Sequence, residues 1–164
     1  MYHPQPLSRR HYTDSFDCGK EELNVWLSKW AMQAESNRTA RTFVWTPQEE
    51  DNVVAYYSLA GHLVQRSETP TKVGRGGPNQ IPSIILGRLA LDRSLHGRGL
   101  GKHLLVNALS AAVRSSHSVA ARLVVVDAID EEAALFYEKY GFAHIPGDTR
   151  MFRKMSSIEA DLSE

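Results

Sequence analysis

An apolar strand that runs through a glycine-rich turn straight into a helix constrains this chain more than any other feature. The stretch covers residues 84–102 and reads IILGRLALDRSLHGRGLGK. Glycines at 97, 99 and 101 leave the turn without side chains, so several backbone N–H groups can approach one anion. The helix that begins there adds the positive end of its dipole. This pattern predicts a backbone cradle for a diphosphate group.

Two common phosphate-binding motifs do not match this turn. A Walker A loop needs a glycine and a Ser or Thr at the positions where this chain has His96 and His103. A dinucleotide-binding fingerprint needs a third glycine, but Lys102 and Leu104 occupy the two positions where that glycine could stand. The sequence therefore disfavours both a P-loop nucleotide site and a Rossmann site.

Length and composition predict one domain that needs neither a disulfide nor a metal. The chain has 164 residues, 42% of them hydrophobic, which is enough for a single core. The single cysteine, Cys18, is expected to be buried, and the seven histidines show no metal-ligand spacing. Because no stretch reads as a signal peptide or a membrane span, we expect a cytoplasmic protein. The net charge is zero, so any RNA contact must come from local basic patches.

Hydrophobic periodicity predicts strands and helices along the whole chain. Phe16 to about Asn37 indicates a helix or a helix pair whose apolar face includes Trp26 and Trp30. Strands are predicted at Thr42–Thr46, Val53–Val64, Pro82–Leu91, Arg122–Ala128 and Arg150–Met155, and further helices at Gly99–Ser116 and Asp130–Tyr140. The long connection Arg66–Gln80 is rich in Gly, Pro and Thr, which predicts a functional or mobile loop. The acidic tail at 156–164 is predicted to be solvated or frayed.

The glycine turn and this order of elements resemble the GCN5-related N-acetyltransferases, the GNAT superfamily. The turn His96-Gly97-Arg98-Gly99-Leu100-Gly101 is similar to that family's acetyl-CoA loop, with histidine in place of the first Gln or Arg. The resemblance implies an α+β fold over residues 1–155, with a central mixed, mostly antiparallel, twisted sheet of about six or seven strands and about four flanking helices. It also implies that acetyl-CoA binds in the splay between the two central strands.

Further motifs, in the same order along the chain, narrow the resemblance to the GNAT toxins of bacterial toxin–antitoxin pairs. They are Phe16-x-Cys18-Gly19 before Leu23, Trp26-Leu27, Leu86-Gly87-Arg88-Leu89-Ala90, Val126-Asp127-Ala128 and Phe136-Tyr137-x-x-x-Gly141-Phe142. Enzymes of that group acetylate the free amine of aminoacyl-tRNA and so block translation. The resemblance therefore implies an aminoacyl-tRNA substrate, a ribbon-helix-helix antitoxin as partner, and a homodimer.

The resemblance also assigns cofactor-binding and catalytic residues. The backbone of Leu89, Ala90 and Leu91 would bind the pantetheine arm, and the turn would bind the pyrophosphate through His96, Gly97, Arg98, Gly99, Leu100, Gly101 and Lys102. Tyr137 occupies the position of the general acid. A tyrosine suits this role because its reference pKa of about 10 keeps it protonated at neutral pH and near the pKa of a leaving thiol. The alternatives are that Tyr137 is only a core aromatic, or that Tyr140 is the acid, although Tyr140 stands beside the helix end.

For substrate binding the sequence offers several candidate residues, and for the general base it offers none. Arg88 precedes the turn and either orients the substrate or pairs with an acid. The candidates for contact with tRNA phosphates lie in or beside loops; they are Lys72, Arg75, Arg38 and Arg41. The acidic residues at 127, 130, 131 and 132 are explained as helix caps and partners of the helix dipole, so no general base is identified.

Two functions of other kinds stay open at this point. One is a GNAT enzyme that acetylates a small amine or a protein N-terminus, which would need an acidic or apolar substrate cleft. The other is a catalytically silent regulator that binds acyl-CoA, and the retained Tyr137 argues against it.

Overall fold

The computed structural model describes residues 1–70 and 77–164, and its elements follow the predicted order. The strands are β1 (Gln5–Pro6), β2 (Arg41–Trp45), β3 (Ala55–Gln65), β4 (Gln80–Leu91), β5 (Leu123–Asp127), β6 (Ala143–His144) and β7 (Arg150–Lys154). The helices are α1 (Glu21–Val25), α2 (Ala31–Asn37), α3 (Leu100–Ser116), α4 (Glu131–Lys139) and α5 (Met155–Leu162). A π-helical turn, Trp26–Trp30, joins α1 to α2, and 3-10 turns follow β3 at Arg66–Glu68 and β4 at Arg93–Leu95.

The strands form one mixed sheet of seven strands in the order β1-β2-β3-β4-β5-β7-β6. β1 with β2, β2 with β3, β5 with β7 and β6 with β7 are antiparallel pairs, whereas β4 and β5 are parallel. Parallel neighbours need a crossover connection, which the glycine turn and α3 supply. The mostly antiparallel sheet confirms the predicted α+β fold.

Residues 1–60 and 88–108 form one compact unit. Leu23, Leu27 and Ala31 continue one buried stripe along α1, the π-helical turn and α2. Trp30, which the sequence placed on this face, is instead 52% exposed. Because the π-helical turn has a wider repeat than an α-helix, it shifts the phase of the stripe from Trp30 to Ala31. Cys18 is buried in the same cluster, and this burial raises the pKa of its thiol.

Residues 61–87 and 109–164 form a second compact unit. Its best-buried strand is β5, in which Leu123 to Val126 have no exposed surface. This agrees with the prediction of a strand that is covered on both faces. Its apolar cluster consists of Val64, Ile81, Leu123, Val125, Ile145 and Phe152.

The acidic C-terminal segment is ordered, contrary to the prediction that it is solvated or frayed. It forms α5, whose Met155 and Ile158 are buried. Asp161 forms an ion pair with Arg153, and a Glu159 carboxylate oxygen lies 3.2 Å from Nε2 of His117. The acidic composition of the tail concealed the buried Ile158, and the helix takes in Met155, which the sequence placed at the end of the last strand. Within the described residues, no helix is both long and apolar enough to cross a membrane.

Candidate active site

The strand that leads to the glycine turn extends beyond its pairing with its parallel neighbour. The register of β4 with β5 runs from Ser83 opposite Leu123 to Leu86 opposite Val126, and β4 then continues to Leu91. Leu89, the first residue assigned to the pantetheine arm, lies in this extension. N–H and C=O groups on a free strand edge can pair with an extended ligand as an added strand does. The extension therefore fits the pantetheine arm.

The glycine turn has the backbone geometry of an open cradle. Gly97 has φ +77° and Gly99 has φ +73°, a region that favours glycine. Among the atoms of the described residues, a Cβ added at either glycine would meet nothing within 4 Å, so the space beside both glycines is open there. α3 begins directly afterwards at Leu100, and first-turn N–H groups have no partners within their own helix. Open space beside first-turn amides fits a diphosphate.

Hydrogen bonds made by two side chains brace the segment between β4 and the turn. The Asp92 carboxylate accepts from the Ser94 N–H at 3.0 Å, the Ser94 hydroxyl at 2.8 Å and the Asp17 N–H at 3.0 Å. Burial acts to raise the pKa of Asp92, but these hydrogen bonds outweigh it and lower the pKa. The His96 ring closes the segment, with Nε2 2.7 Å from the Leu91 carbonyl oxygen. Asp92 was not among the residues predicted from the sequence, although Asp followed two residues later by Ser is typical of a side-chain cap.

Of the basic side chains near the glycine turn, one is paired with a carboxylate and two are not. Arg93 lies 3.7 Å from the carboxylate of Asp17, which offsets its charge. Arg98 and Lys102 are exposed, and in the described part of the chain neither forms an ion pair. These two side chains are therefore the ones able to supply charge to a bound phosphate.

Tyr137 lies on α4 with a buried ring. The helix begins where the sequence predicts, because the Asp130 carboxylate accepts from the Ala133 N–H at 2.8 Å. The tyrosine is 5% exposed and packs edge-to-face against Phe136 and Phe142, at centroid distances of 5.5 and 5.6 Å. The ring alone would be explained by packing.

The hydroxyl of Tyr137 distinguishes it from a core aromatic. Among residues 1–70 and 77–164 this hydroxyl has no hydrogen-bond partner. A phenol without a protein partner can donate its hydrogen to a bound ligand. Burial, with a further contribution from the charge of Asp127, raises the pKa of Tyr137 above its ordinary value. The phenol stays protonated at neutral pH, as a proton donor must.

Tyr140, the alternative acid, has a different setting. It caps the C-terminal end of α4, packs edge-to-face on Phe136 at 5.1 Å, and has the Lys139 ammonium 5.6 Å from its ring centroid. These contacts favour the packing role that its position beside Gly141 indicates.

Arg88 lies against an aromatic side chain of the helical segment that precedes β2. Its guanidinium carbon lies 4.1 Å from the ring centroid of Trp26, which stacks on Tyr56 at 5.9 Å. The Tyr56 hydroxyl donates to the Leu23 carbonyl at 2.8 Å. Burial raises the pKa of Tyr56, and the nearby Arg88 charge opposes this only in part. An aromatic stack therefore fixes the plane of Arg88.

The candidate RNA-binding residues differ in how available they are. Arg41 pairs with Glu35 at 2.8 Å, and that carboxylate also accepts from the Thr42 N–H. Arg38 ends α2 in the left-handed conformation, with φ 59°; it is exposed, and within the described ranges it forms no ion pair. Lys72 and Arg75 lie outside the described residues. Of the candidates that the structure describes, Arg38 is therefore the more available.

The acidic residues near the start of α4 have structural partners. The Asp127 carboxylate accepts from the Thr149 hydroxyl at 3.1 Å, and Asp130 caps the helix. Across the described residues, no group of three or more His, Cys, Asp or Glu side chains could hold a metal ion.

Comparison with known proteins identifies the family of this chain. Residues 40–144 match the acetyltransferase (GNAT) domain. The chain belongs to the GNAT acetyltransferases. The matched GNAT span contains Arg88, the glycine turn and Tyr137, whereas β1, α1 and α2 precede it.

Individual GNAT relatives are similar over nearly the whole chain. A tRNA-acetylating toxin from Mycobacterium tuberculosis is 35% identical over 145 residues, which are 88% of this chain and 86% of that protein. The toxin AtaT complexed with acetyl-methionyl-tRNAfMet is 30% identical, with a TM-score of 0.90 and 99% of both chains covered. A tyrosine-to-phenylalanine mutant of AtaT, bound to the C-terminus of the antitoxin AtaR and to acetyl-CoA, is 28% identical, with a TM-score of 0.86 and coverage of 100% of this chain and 99% of that one.

Proposed function

We propose that this protein is a toxin that transfers acetyl from acetyl-CoA to the free α-amine of aminoacyl-tRNA and thereby blocks translation. The observation that carries the proposal is the match over 99% of both chains to AtaT in complex with acetyl-methionyl-tRNAfMet. That similarity extends beyond the family match at residues 40–144 and so includes α1, α2 and α5. The relative from M. tuberculosis, itself a tRNA-acetylating toxin, supports the same function.

The cofactor site follows from β4 and the glycine turn. Acetyl-CoA supplies an acetyl thioester. The backbone of Leu89, Ala90 and Leu91 binds the pantetheine arm, and the amides from Arg98 through Lys102 bind the diphosphate. The exposed side chains of Arg98 and Lys102 add charge to this cradle.

Tyr137 carries the proton-transfer step in this proposal. The amine attacks the thioester carbonyl directly, the carbon–sulfur bond breaks, and the Tyr137 hydroxyl gives its proton to the departing sulfur. Burial and the charge of Asp127 raise the pKa of Tyr137, so the phenol is protonated at neutral pH when acetyl-CoA binds. The α-amine of an aminoacyl ester is a weaker base than lysine, so part of it is neutral at pH 7. The proton that the attacking nitrogen loses passes to water, and the Tyr137 phenolate regains a proton from water before the next turnover.

The proposal extends to partners, location and domain organisation. We propose that the protein binds a ribbon-helix-helix antitoxin, forms a homodimer and is located in the cytoplasm. It also includes one acetyltransferase domain at residues 1–155, followed by the acidic segment 156–164. AtaT bound to the C-terminus of AtaR supports the antitoxin partner.

With labelled acetyl-CoA and a total pool of aminoacylated tRNA, the protein should label charged tRNA. Mild alkaline hydrolysis should then release the label as an N-acetyl amino acid, because the new bond is an amide and the link to tRNA is an ester. Deacylated tRNA, amino acid amides and peptides serve as controls. Equal labelling of amides or peptides would replace the proposal with a small-amine or N-terminal acetyltransferase. Acetyl-CoA binding without any labelled product would favour a silent regulator.

Replacing Arg38 with asparagine should weaken tRNA binding and leave acetyl-CoA affinity unchanged. Asparagine tolerates the left-handed conformation, so the variant removes a charge without straining the backbone. If Arg38 contacts one phosphate, the slope of log K against log salt should flatten by about 0.7 to 0.9. Arg41→Gln should change the slope less, because Glu35 already offsets that charge. Arg114→Asn, on the exposed last turn of α3, serves as a control. An unchanged slope in Arg38→Asn would remove this residue from the RNA-binding surface.

A further inference from the structure

The π-helical turn Trp26–Trp30 places its two tryptophans in different environments. Trp26 is partly buried against the core, stacked on Tyr56 at 5.9 Å, with the guanidinium carbon of Arg88 4.1 Å from its ring centroid. Trp30, at the other end of the turn, is 52% exposed. Among the described residues, no aromatic ring and no cation lies against the Trp30 ring. Because π-helical turns are rare and are often found at functional sites, the exposed ring is a candidate binding surface.

The surface around Trp30 is positively charged, although the chain as a whole is neutral. Lys29 directly precedes the tryptophan, and Arg38 ends α2 about two turns further along. Both side chains are exposed, and within residues 1–70 and 77–164 neither forms an ion pair. The one acidic residue between positions 26 and 38 is Glu35, and its carboxylate already accepts from Arg41 at 2.8 Å and from a backbone N–H of β2 at 2.7 Å. The exposed ring therefore lies between two cations whose charge is not offset.

Single-stranded nucleic acid fits this combination better than a protein partner does. Unpaired bases stack on exposed aromatic side chains, and basic residues beside the ring contact the phosphates. Gln33 and Asn37, which are also exposed on α2, carry amides that can donate and accept hydrogen bonds. The centre of a protein interface is apolar, but Trp30 is the one large exposed apolar side chain of residues 21–37.

The turn also connects Trp30 to the strand that is assigned to the pantetheine arm. Trp26 lies about one helical turn before Trp30 and contacts Arg88, which directly precedes Leu89 in β4. In an aminoacyl-tRNA, the reacting amine is carried by the terminal nucleotide of the unpaired 3′ end. When that amine lies at the acetyl group, the unpaired nucleotides behind it are the part of tRNA closest to this strand. They are therefore the bases within reach of Trp30.

We propose that Trp30 is a stacking platform for an unpaired base at the 3′ end of aminoacyl-tRNA, with Lys29 and Arg38 on the adjoining phosphates. This inference rests on the proposed function, because it takes aminoacyl-tRNA to be the substrate. The platform lies before residues 40–144, the span that matches the acetyltransferase domain. It therefore assigns part of tRNA recognition to the helical segment that precedes that span.

Binding of deacylated tRNA to the whole chain at several salt concentrations tests the inference. Trp30→Leu keeps an apolar side chain but cannot stack, so its tRNA affinity should fall about tenfold or more, whereas Trp30→Phe should stay within about threefold of the native value. Stacking releases no counterions, so the slope of log K against log salt should be unchanged in Trp30→Leu. In Lys29→Gln the slope should flatten by about 0.7. Tyr12→Leu, which changes another half-exposed aromatic residue, should bind tRNA like the native chain.

A tRNA from which the unpaired 3′ nucleotides have been removed tests the assignment to the 3′ end. Removing these nucleotides should weaken binding to the native protein, and Trp30→Leu should then cause no further loss, because the stacked base is already absent. Acetyl-CoA affinity and the melting temperature of Trp30→Leu should match the native values, since the ring is half exposed and is not part of the cofactor site.

Three results would contradict the inference while the proposed function stands. They are native tRNA affinity in Trp30→Leu, a loss in Trp30→Leu that is equally large with the truncated tRNA, and a changed oligomeric state in Trp30→Leu with tRNA affinity kept, which would make this face a protein interface. If the native protein neither binds nor acetylates aminoacyl-tRNA, the proposed function itself fails.

Discussion

The Tyr137→Phe variant should lose about 100-fold or more in kcat for acetyl transfer and bind acetyl-CoA as tightly as the native chain. The substitution removes only the hydroxyl, so the packing of the ring against Phe136 and Phe142 is kept. The departing thiolate would then lack its proton donor. Initial rates with a purified aminoacyl-tRNA measure kcat, and calorimetry measures acetyl-CoA affinity. Growth arrest on expression should disappear together with the activity.

Tyr140→Phe is the matched control for this prediction. It removes the same group from the same helix, at a residue whose contacts are with Phe136 and Lys139. Its kcat should stay within a few-fold of the native value. If Tyr140→Phe lost the activity and Tyr137→Phe kept it, the role of general acid would pass to Tyr140. Equal and large losses in both variants, together with a lowered melting temperature, would indicate packing rather than proton transfer.

Replacing Gly99 with valine should reduce acetyl-CoA affinity by about 100-fold or more, for two reasons. Gly99 has φ +73°, and a side chain in this left-handed region costs about 1–2 kcal/mol, with branched residues the least tolerant. The space beside Gly99 is open, so a branched side chain would occupy room that the diphosphate needs. Calorimetry with acetyl-CoA gives the affinity, and thermal unfolding tests whether the fold survives.

Valine variants at two further glycines show whether a loss of acetyl-CoA affinity comes from backbone strain or from a side chain that blocks the cradle. Gly147 has φ +75° and open space beside it but lies between β6 and β7, so Gly147→Val carries similar strain and should leave acetyl-CoA affinity near the native value. Gly101 lies in the first turn of α3 without a left-handed φ, so Gly101→Val tests the added side chain at an unstrained position. Native affinity in both Gly99→Val and Gly101→Val would mean that the diphosphate binds elsewhere.

Secondary structure was predictable wherever a local pattern was strong. The run Leu123–Val126 predicted a strand buried on both faces, and Asp130 predicted the start of α4. Where the local pattern was weak or misleading, the prediction failed. The tail at 156–164 was assigned from its acidic composition, which conceals the buried Ile158. Trp30 was placed by an α-helical repeat that the π-helical turn interrupts.

By itself, the sequence determined the glycine turn, the strand before it, the helix after it and the helix that carries Tyr137, because each depends on residue types and spacing within a short segment. Only the tertiary structure decided that the Asp17 N–H meets Asp92 across 75 positions and that Arg88 lies on Trp26. It also decided that, within residues 1–70 and 77–164, Arg41 forms an ion pair and Arg38 does not. Local periodicity determines which face of an element is apolar, but not which distant side chain reaches that face. Those contacts arise when the elements pack, since only packing brings distant side chains within hydrogen-bonding or stacking distance.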